Sequence, residues 1–233
     1  MAKDATVDSV SIPVGEVTCE GDLRMPERAG GLVIFAHGSG SSRFSSRNRA
    51  VAAVLQEAGF GTLLLDLLTI AEAAADHVTR KYRFDTEMLG RRVVGAADWA
   101  HGRGDLAQLP IALFGASTGA AAALIAAAER PTLIRAVISR GGRPDLAGAA
   151  LARVKAPTLL IVGGHDEAVI DLNREAMDQM KAPVHLEIVP GATHLFEEPG
   201  TLEAVSRHAA DWCRRYLHSY PAEGLDGVAP GES

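Results

Sequence analysis

Residues Ile111–Ala128 read IALFGASTGAAAALIAAA and change character in the middle. An apolar run of strand type comes first, Gly115-Ala116-Ser117-Thr118-Gly119 interrupts it, and an alanine-rich run of high helix propensity follows. The interruption is G-x-S-x-G, the pattern of a serine held at the tip of a sharp strand-to-helix turn. Such a turn strains the serine backbone and brings the chain close to itself on both sides, so glycines two residues before and after it supply room. The helix after Ser117 points unpaired N–H groups at the place where an ester oxygen would become negative. A charge-free run of about 18 residues approaches the length of a membrane span, but Gly115, Ser117, Thr118 and Gly119 occupy its centre and no anchoring residues flank it. The motif alone recurs by chance, so its reading depends on the rest of the chain.

Working outward, short apolar runs alternate with helical patterns. Val7–Arg24 alternates weakly around Pro13-Val14-Gly15 and predicts an antiparallel hairpin at a sheet edge. Gly31–Ala36, Gly61–Leu67, Leu133–Ser139, Pro157–Val162 and His185–Val189 are runs expected of strands buried on both faces. Helices are predicted over Ala50–Gly59, Asp85–Gly102, Leu146–Val154, Leu172–Lys181 and Thr201–His218, with a partly helical excursion over Leu68–Phe84. This alternation predicts one α/β domain over residues 1–219, with a mostly parallel sheet covered by helices on both faces. No insertion is long enough for a large cap domain. The tail, 220–233, is rich in Pro, Gly and acidic residues and is expected to be disordered.

In a parallel sheet, ligand chemistry belongs to the loops at the carboxyl ends of the strands. A serine hydroxyl needs a base, and the base needs a carboxylate to hold its tautomer and stabilise its charge. Ser117, Asp166 and His194 meet the required chain order of serine, acid and histidine, each just after a strand. The rival acids are Glu167, Asp171 and Asp145, and the rival histidines are His165 and His37. Oxyanion donors are assigned to the backbone N–H of Thr118 and to that of Ser39 in His37-Gly38-Ser39-Gly40, with Gly40 as the alternative. Cations follow several strands, and Arg140, Arg43 and His37 are candidates to bind substrate, Arg140 first among them because a buried strand leads to it.

On HGSG, GASTG, GGHD and GATH at matching strand ends, the sequence resembles the α/β-hydrolase superfamily, in particular its dienelactone-hydrolase-like branch, from about Gly31 to His218. The resemblance implies a sheet of about eight strands and hydrolysis through a covalent acyl-enzyme. The chain is also similar to the hydrolase portion that some bacterial proteins carry fused to a phosphoribosyltransferase domain. Dienelactone hydrolases proper carry a cysteine nucleophile. Ser117 stands in that place here, so ester or lactone hydrolysis in general is expected rather than dienelactone itself.

Composition narrows the classes. Of the 233 residues 47% are hydrophobic and 22% charged, as in ordinary globular domains, and the net charge of −6 argues against a nucleic-acid or anionic-membrane surface. Cys19 and Cys213 fit neither a disulfide framework nor a metal motif, and MAKDATVDSV lacks the apolar core of a signal peptide, so a cytoplasmic protein is expected. Neither metal nor organic cofactor is required. The partner is expected to be a small ester or lactone, with the chain a monomer or homodimer. Acyl transfer or perhydrolysis by the same three residues, and ligand binding without catalysis, are the competing expectations.

Overall fold

Five consecutive apolar residues, Leu32–Ala36, form a strand with cores on both sides: Leu32, Ile34 and Ala36 pack into one, Val33 and Phe35 into the other. The computed structural model describes residues 7–217, and the expected C-terminal tail lies outside them. Its strands are β1 (Val7–Val14), β2 (Val17–Arg24), β3 (Leu32–Ala36), β4 (Gly61–Leu65), β5 (Ile111–Ala116), β6 (Ile134–Arg140), β7 (Thr158–Gly163) and β8 (Val184–Val189). They form one sheet in the order β1-β2-β4-β3-β5-β6-β7-β8. The hairpin β1–β2 is antiparallel and joins β4 antiparallel, while β4, β3 and β5 to β8 run parallel. The α/β architecture read from the sequence is the one observed.

Helices α1 (Ser46–Glu57) and α6 (Thr201–Leu217) cover one face, through Val51, Ala52 and Leu55 and through Val205, Ala209 and Cys213. Helices α3 (Thr86–Gly102) and α4 (Thr118–Glu129) cover the other with a 3-10 segment, Pro144–Arg153. Two further helices remain, α2 (Ile70–Thr79) after β4 and α5 (Glu167–Gln179) after β7. Alanines at 120–123, 126 and 127 are fully buried, which lets α4 lie close against the sheet. Cys19 and Cys213 are both buried free thiols.

Some boundaries differ from the expected ones for identifiable reasons. Helix α1 starts at Ser46 rather than Ala50, because the Ser45 hydroxyl accepts the Asn48 N–H at 3.3 Å and converts a polar stretch into a capped first turn. Helix α5 starts five residues before the expected Leu172, directly after Asp166. Its buried positions are Ile170, Asn173 and Ala176, and the polar Asn173 hides the helical spacing. The helix expected over Leu146–Val154 is a 3-10 segment, with non-helical backbone at Gly148 (φ 50°). Arg140 is the last residue of β6, not the first beyond it.

Candidate active site

Ser117 links β5 to α4 with φ 51° and ψ −122°, a conformation that a residue with a side chain holds at a cost of about 1–3 kcal/mol. Its neighbours enforce it. The Ser117 N–H donates to the Arg140 carbonyl at 3.2 Å, and the Ser117 carbonyl accepts from the N–H groups of Ala120 and Arg143, both at 3.1 Å. The flanking glycines are required: a Cβ on Gly119 would stand 2.2 Å from the Ala36 carbonyl oxygen, and one on Gly115 2.4 Å from the Ala120 Cα. At the first position of α4 the Thr118 N–H has no acceptor among the described residues.

Asp166 and His194 are brought together by the ends of β7 and β8. His194 Nδ1 donates to Asp166 Oδ2 at 2.6 Å, which leaves Nε2 free to act as a base. Their loops are laced by N–H to carbonyl bonds, His165 to Ala192 at 2.9 Å and Gly164 to Val189 at 2.8 Å. A Cβ on Gly163 would lie 2.5 Å from the Ala192 carbonyl oxygen, so the approach needs glycine there. The Asp166 side chain is 16% exposed and that of His194 38%, so the acid is shielded while the ring reaches the opening. Two rival acids are committed elsewhere, Asp145 to Arg143 at 2.7 Å and Asp171 to Arg174 at 3.2 Å.

Ser117 and His194 line one cavity of about 210 Å³, together with Gly38, Ser39 and Arg140. The Ser117 hydroxyl and the His194 ring make no hydrogen bond to each other, as is common before substrate draws a nucleophile and its base together. A second cavity of about 210 Å³ lies across the 38–41 loop, lined by Leu67, Leu68, Ile70, Ala73 and Leu89 from the β4 side.

Two sequence-based assignments, His37 and Arg43, need correction, and a third, Ser39, requires a side-chain movement. The Ser39 N–H is already spent, donating to Thr118 Oγ1 at 2.9 Å, while the Ser39 hydroxyl lies 2.9 Å from the same oxygen and 3.1 Å from the Arg83 carbonyl it donates to. Freeing that amide takes a rotation of the Thr118 side chain. The alternative, Gly40, has an N–H without an acceptor among the described residues but borders the second cavity rather than that of Ser117. His37 is structural: its Nε2 accepts from the Leu67 N–H at 3.0 Å, and its Nδ1 lies 2.9 Å from the Gly38 carbonyl. Burial pushes its pKa down, against the Gly38 bond and Asp66, and favours the neutral ring that this bridge requires. Arg43 binds Asp22 and Asp66 and stacks on Phe44 at 4.4 Å, so it pins its own loop instead of facing substrate.

Arg140 lines the cavity that holds Ser117. It is 8% exposed, and among the described residues no carboxylate pairs with it. Its Nη2 donates to Asn48 Oδ1 at 3.2 Å, while Nε and Nη1 are buried without partners among the described residues. Burial, then the nearby Arg47, push its pKa down to about 10. Asn48 was not singled out in the sequence; the Ser45 cap that starts α1 was the signal for its position. Among the described residues no group of three or more His, Cys, Asp or Glu is arranged to hold a metal ion, and no helix is long and apolar enough to cross a membrane.

An eight-stranded sheet, parallel from β4 through β8, with a serine elbow at its centre and an acid and a histidine at later strand ends, defines the α/β-hydrolase class. The chain belongs to the dienelactone hydrolase family, whose model matches residues 21–219. It is 55% identical to a dienelactone hydrolase from Anabaena variabilis, with a TM-score of 0.91 over 92% of this chain and 100% of that one. An esterase of Pyrococcus furiosus shares the fold at 17% identity, with a TM-score of 0.73 over 91% of this chain and 94% of that one. The chain is also 54% identical over 205 residues to a Mycobacterium tuberculosis protein whose name assigns it, provisionally, as a phosphoribosyl transferase. That match takes in 88% of this chain and 45% of the relative, so the chain spans about half the relative's length.

Proposed function

We propose that this chain is a serine hydrolase that opens a small carboxylic ester or lactone through an acyl-enzyme. The observation that carries the reading is the Asp166–His194 bond, directed into the same cavity as a serine whose backbone is held in a strained conformation. His194 Nε2 takes the Ser117 proton as Oγ attacks the carbonyl carbon, and Asp166 stabilises the imidazolium. The tetrahedral oxyanion receives the Thr118 N–H, and the Ser39 N–H joins it once the Thr118 hydroxyl turns aside. His194 then protonates the departing alkoxide. Water, with the same histidine as base, attacks the acyl-serine, and the carboxylic acid leaves with Ser117 restored.

Strain at Ser117 also speaks against a purely ligand-binding role, which would gain nothing from maintaining it. The dienelactone hydrolase of Anabaena variabilis, 55% identical, supports the reaction class. The test is covalent labelling with a small reactive phosphonate ester, mapped by intact mass and peptide analysis, with Ser117→Ala as control. One adduct, on Ser117 and absent from the variant, is expected. A folded sample that takes no adduct overturns the reading. Product analysis with competing alcohols separates hydrolysis from acyl transfer.

A further inference from the structure

Next to Ser117, the cavity has a wall built almost wholly of donors. Arg140 stands at the end of β6, and Ser45, Arg47 and Asn48 come from the start of α1. A guanidinium offers two edges of paired N–H groups that share Nη2. Asn48 takes one Nη2 hydrogen, which leaves Arg140 one complete edge, and among the described residues its buried Nε and Nη1 have no partner. Arg47 Nε is likewise buried and, among the described residues, unpartnered.

The 12-residue helix α1 adds its own field. Its first turn contains no acidic residue, and the N–H groups of Ser46 and Arg47 have no acceptor among the described residues, since the Ser45 cap serves Asn48. Two carboxylates lie nearby, and neither neutralises Arg140. Asp166 is committed to His194, and Glu197, with a side chain 65% exposed, holds Arg47 Nη1 from the solvent side at 3.3 Å. Two guanidiniums and a helix N-terminus thus meet at this cavity with buried donors unused among the described residues, a costly arrangement unless an anion enters.

We propose that this wall binds a phosphate group carried by the substrate, taken between Arg140, Arg47 and the N-terminus of α1. A carboxylate would satisfy the free edge of Arg140 and leave Arg47 and the helix end unused. A phosphate has three oxygens in different directions and up to two charges, matching donors that arrive from the end of β6, from the Arg47 side chain and from the α1 backbone. The substrate is then a small phosphorylated ester or lactone, its carbonyl at Ser117 and its phosphate against α1; this part rests on the hydrolase reading above, whereas the anion site does not.

The test uses Ser117→Ala protein, so that binding is read without turnover. Calorimetric titration with inorganic phosphate and ethyl phosphate is compared with acetate and propionate. Phosphates are expected to bind at least tenfold more tightly, and Arg140→Gln or Arg47→Gln to weaken them roughly ten- to a hundredfold. Should the buried Arg140 variant fail to fold, Arg47→Gln, on a partly exposed turn, carries the test alone. Equal affinity for the carboxylates, no phosphate binding, or phosphate binding unchanged by Arg47→Gln overturns the proposal. Phosphate binding in a chain that never labels at Ser117 removes the hydrolase reading and keeps the anion site; labelling without phosphate binding does the reverse.

Discussion

Ser117 keeps its positive φ because three backbone hydrogen bonds and two close glycine contacts leave the turn no other shape. Ser117→Gly removes the nucleophile and the strain together. Ester turnover is expected to fall by roughly 10^4-fold or more. Unfolding free energy is expected to rise by about 1 kcal/mol, because relief of strain exceeds the added chain entropy. Urea denaturation beside an ester assay checks both. Arg140 poses the same conflict between stability and function in electrostatic form. A buried guanidinium without a carboxylate is costly, so Arg140→Met is expected to stabilise the fold by about 1 kcal/mol or more. Denaturant unfolding in phosphate-free buffer measures it, and a loss of stability would mean that Arg140 serves the fold. Candidacy of Ser117, Asp166 and His194 was legible at this scale because their motifs are local. The commitments of Ser39, His37 and Arg43 were not, since their partners Thr118, Leu67 and Asp66 lie 23–79 residues away.

Among the elements, β7 and β8 determine whether the acid meets the histidine. Both pair in parallel register, Gly163 opposite Val189, and their trailing loops touch at the Gly163 approach. Gly163→Ala forces a Cβ against the carbonyl oxygens of Ala192 and Thr193, 2.5 and 2.6 Å from its ideal position. The turn before His194 must shift, and kcat is expected to fall by about tenfold to a hundredfold although neither polar partner is altered. Steady-state kinetics on a short-chain ester checks this, with circular dichroism to confirm folding. Helix starts show the limit of local reading. Ser45 begins α1 ahead of the apolar spacing as a side-chain cap, whereas α5 begins directly after Asp166, whose carboxylate serves His194 and not the helix N–H groups.

For the whole molecule, the sheet separates two cores of buried residues. Val51 on α1 and Val93 on α3 are fully buried on opposite faces. Val51→Ala and Val93→Ala are each expected to cost about 2 kcal/mol and to add within about 0.5 kcal/mol in the double variant. Denaturant titration of the two single variants and the double variant tests this independence. By itself the sequence determined the α/β class, the central place of the Ile111–Ala128 elbow and the order of serine, acid and histidine, because strand runs, helical spacing and glycine turns are short-range properties of the chain. Only the tertiary structure decided which donors remain free. Whether an N–H or a guanidinium is available for substrate depends on what distant segments bring against it: Thr118 takes the Ser39 amide, Asp22 and Asp66 take Arg43, and among the described residues no carboxylate reaches Arg140.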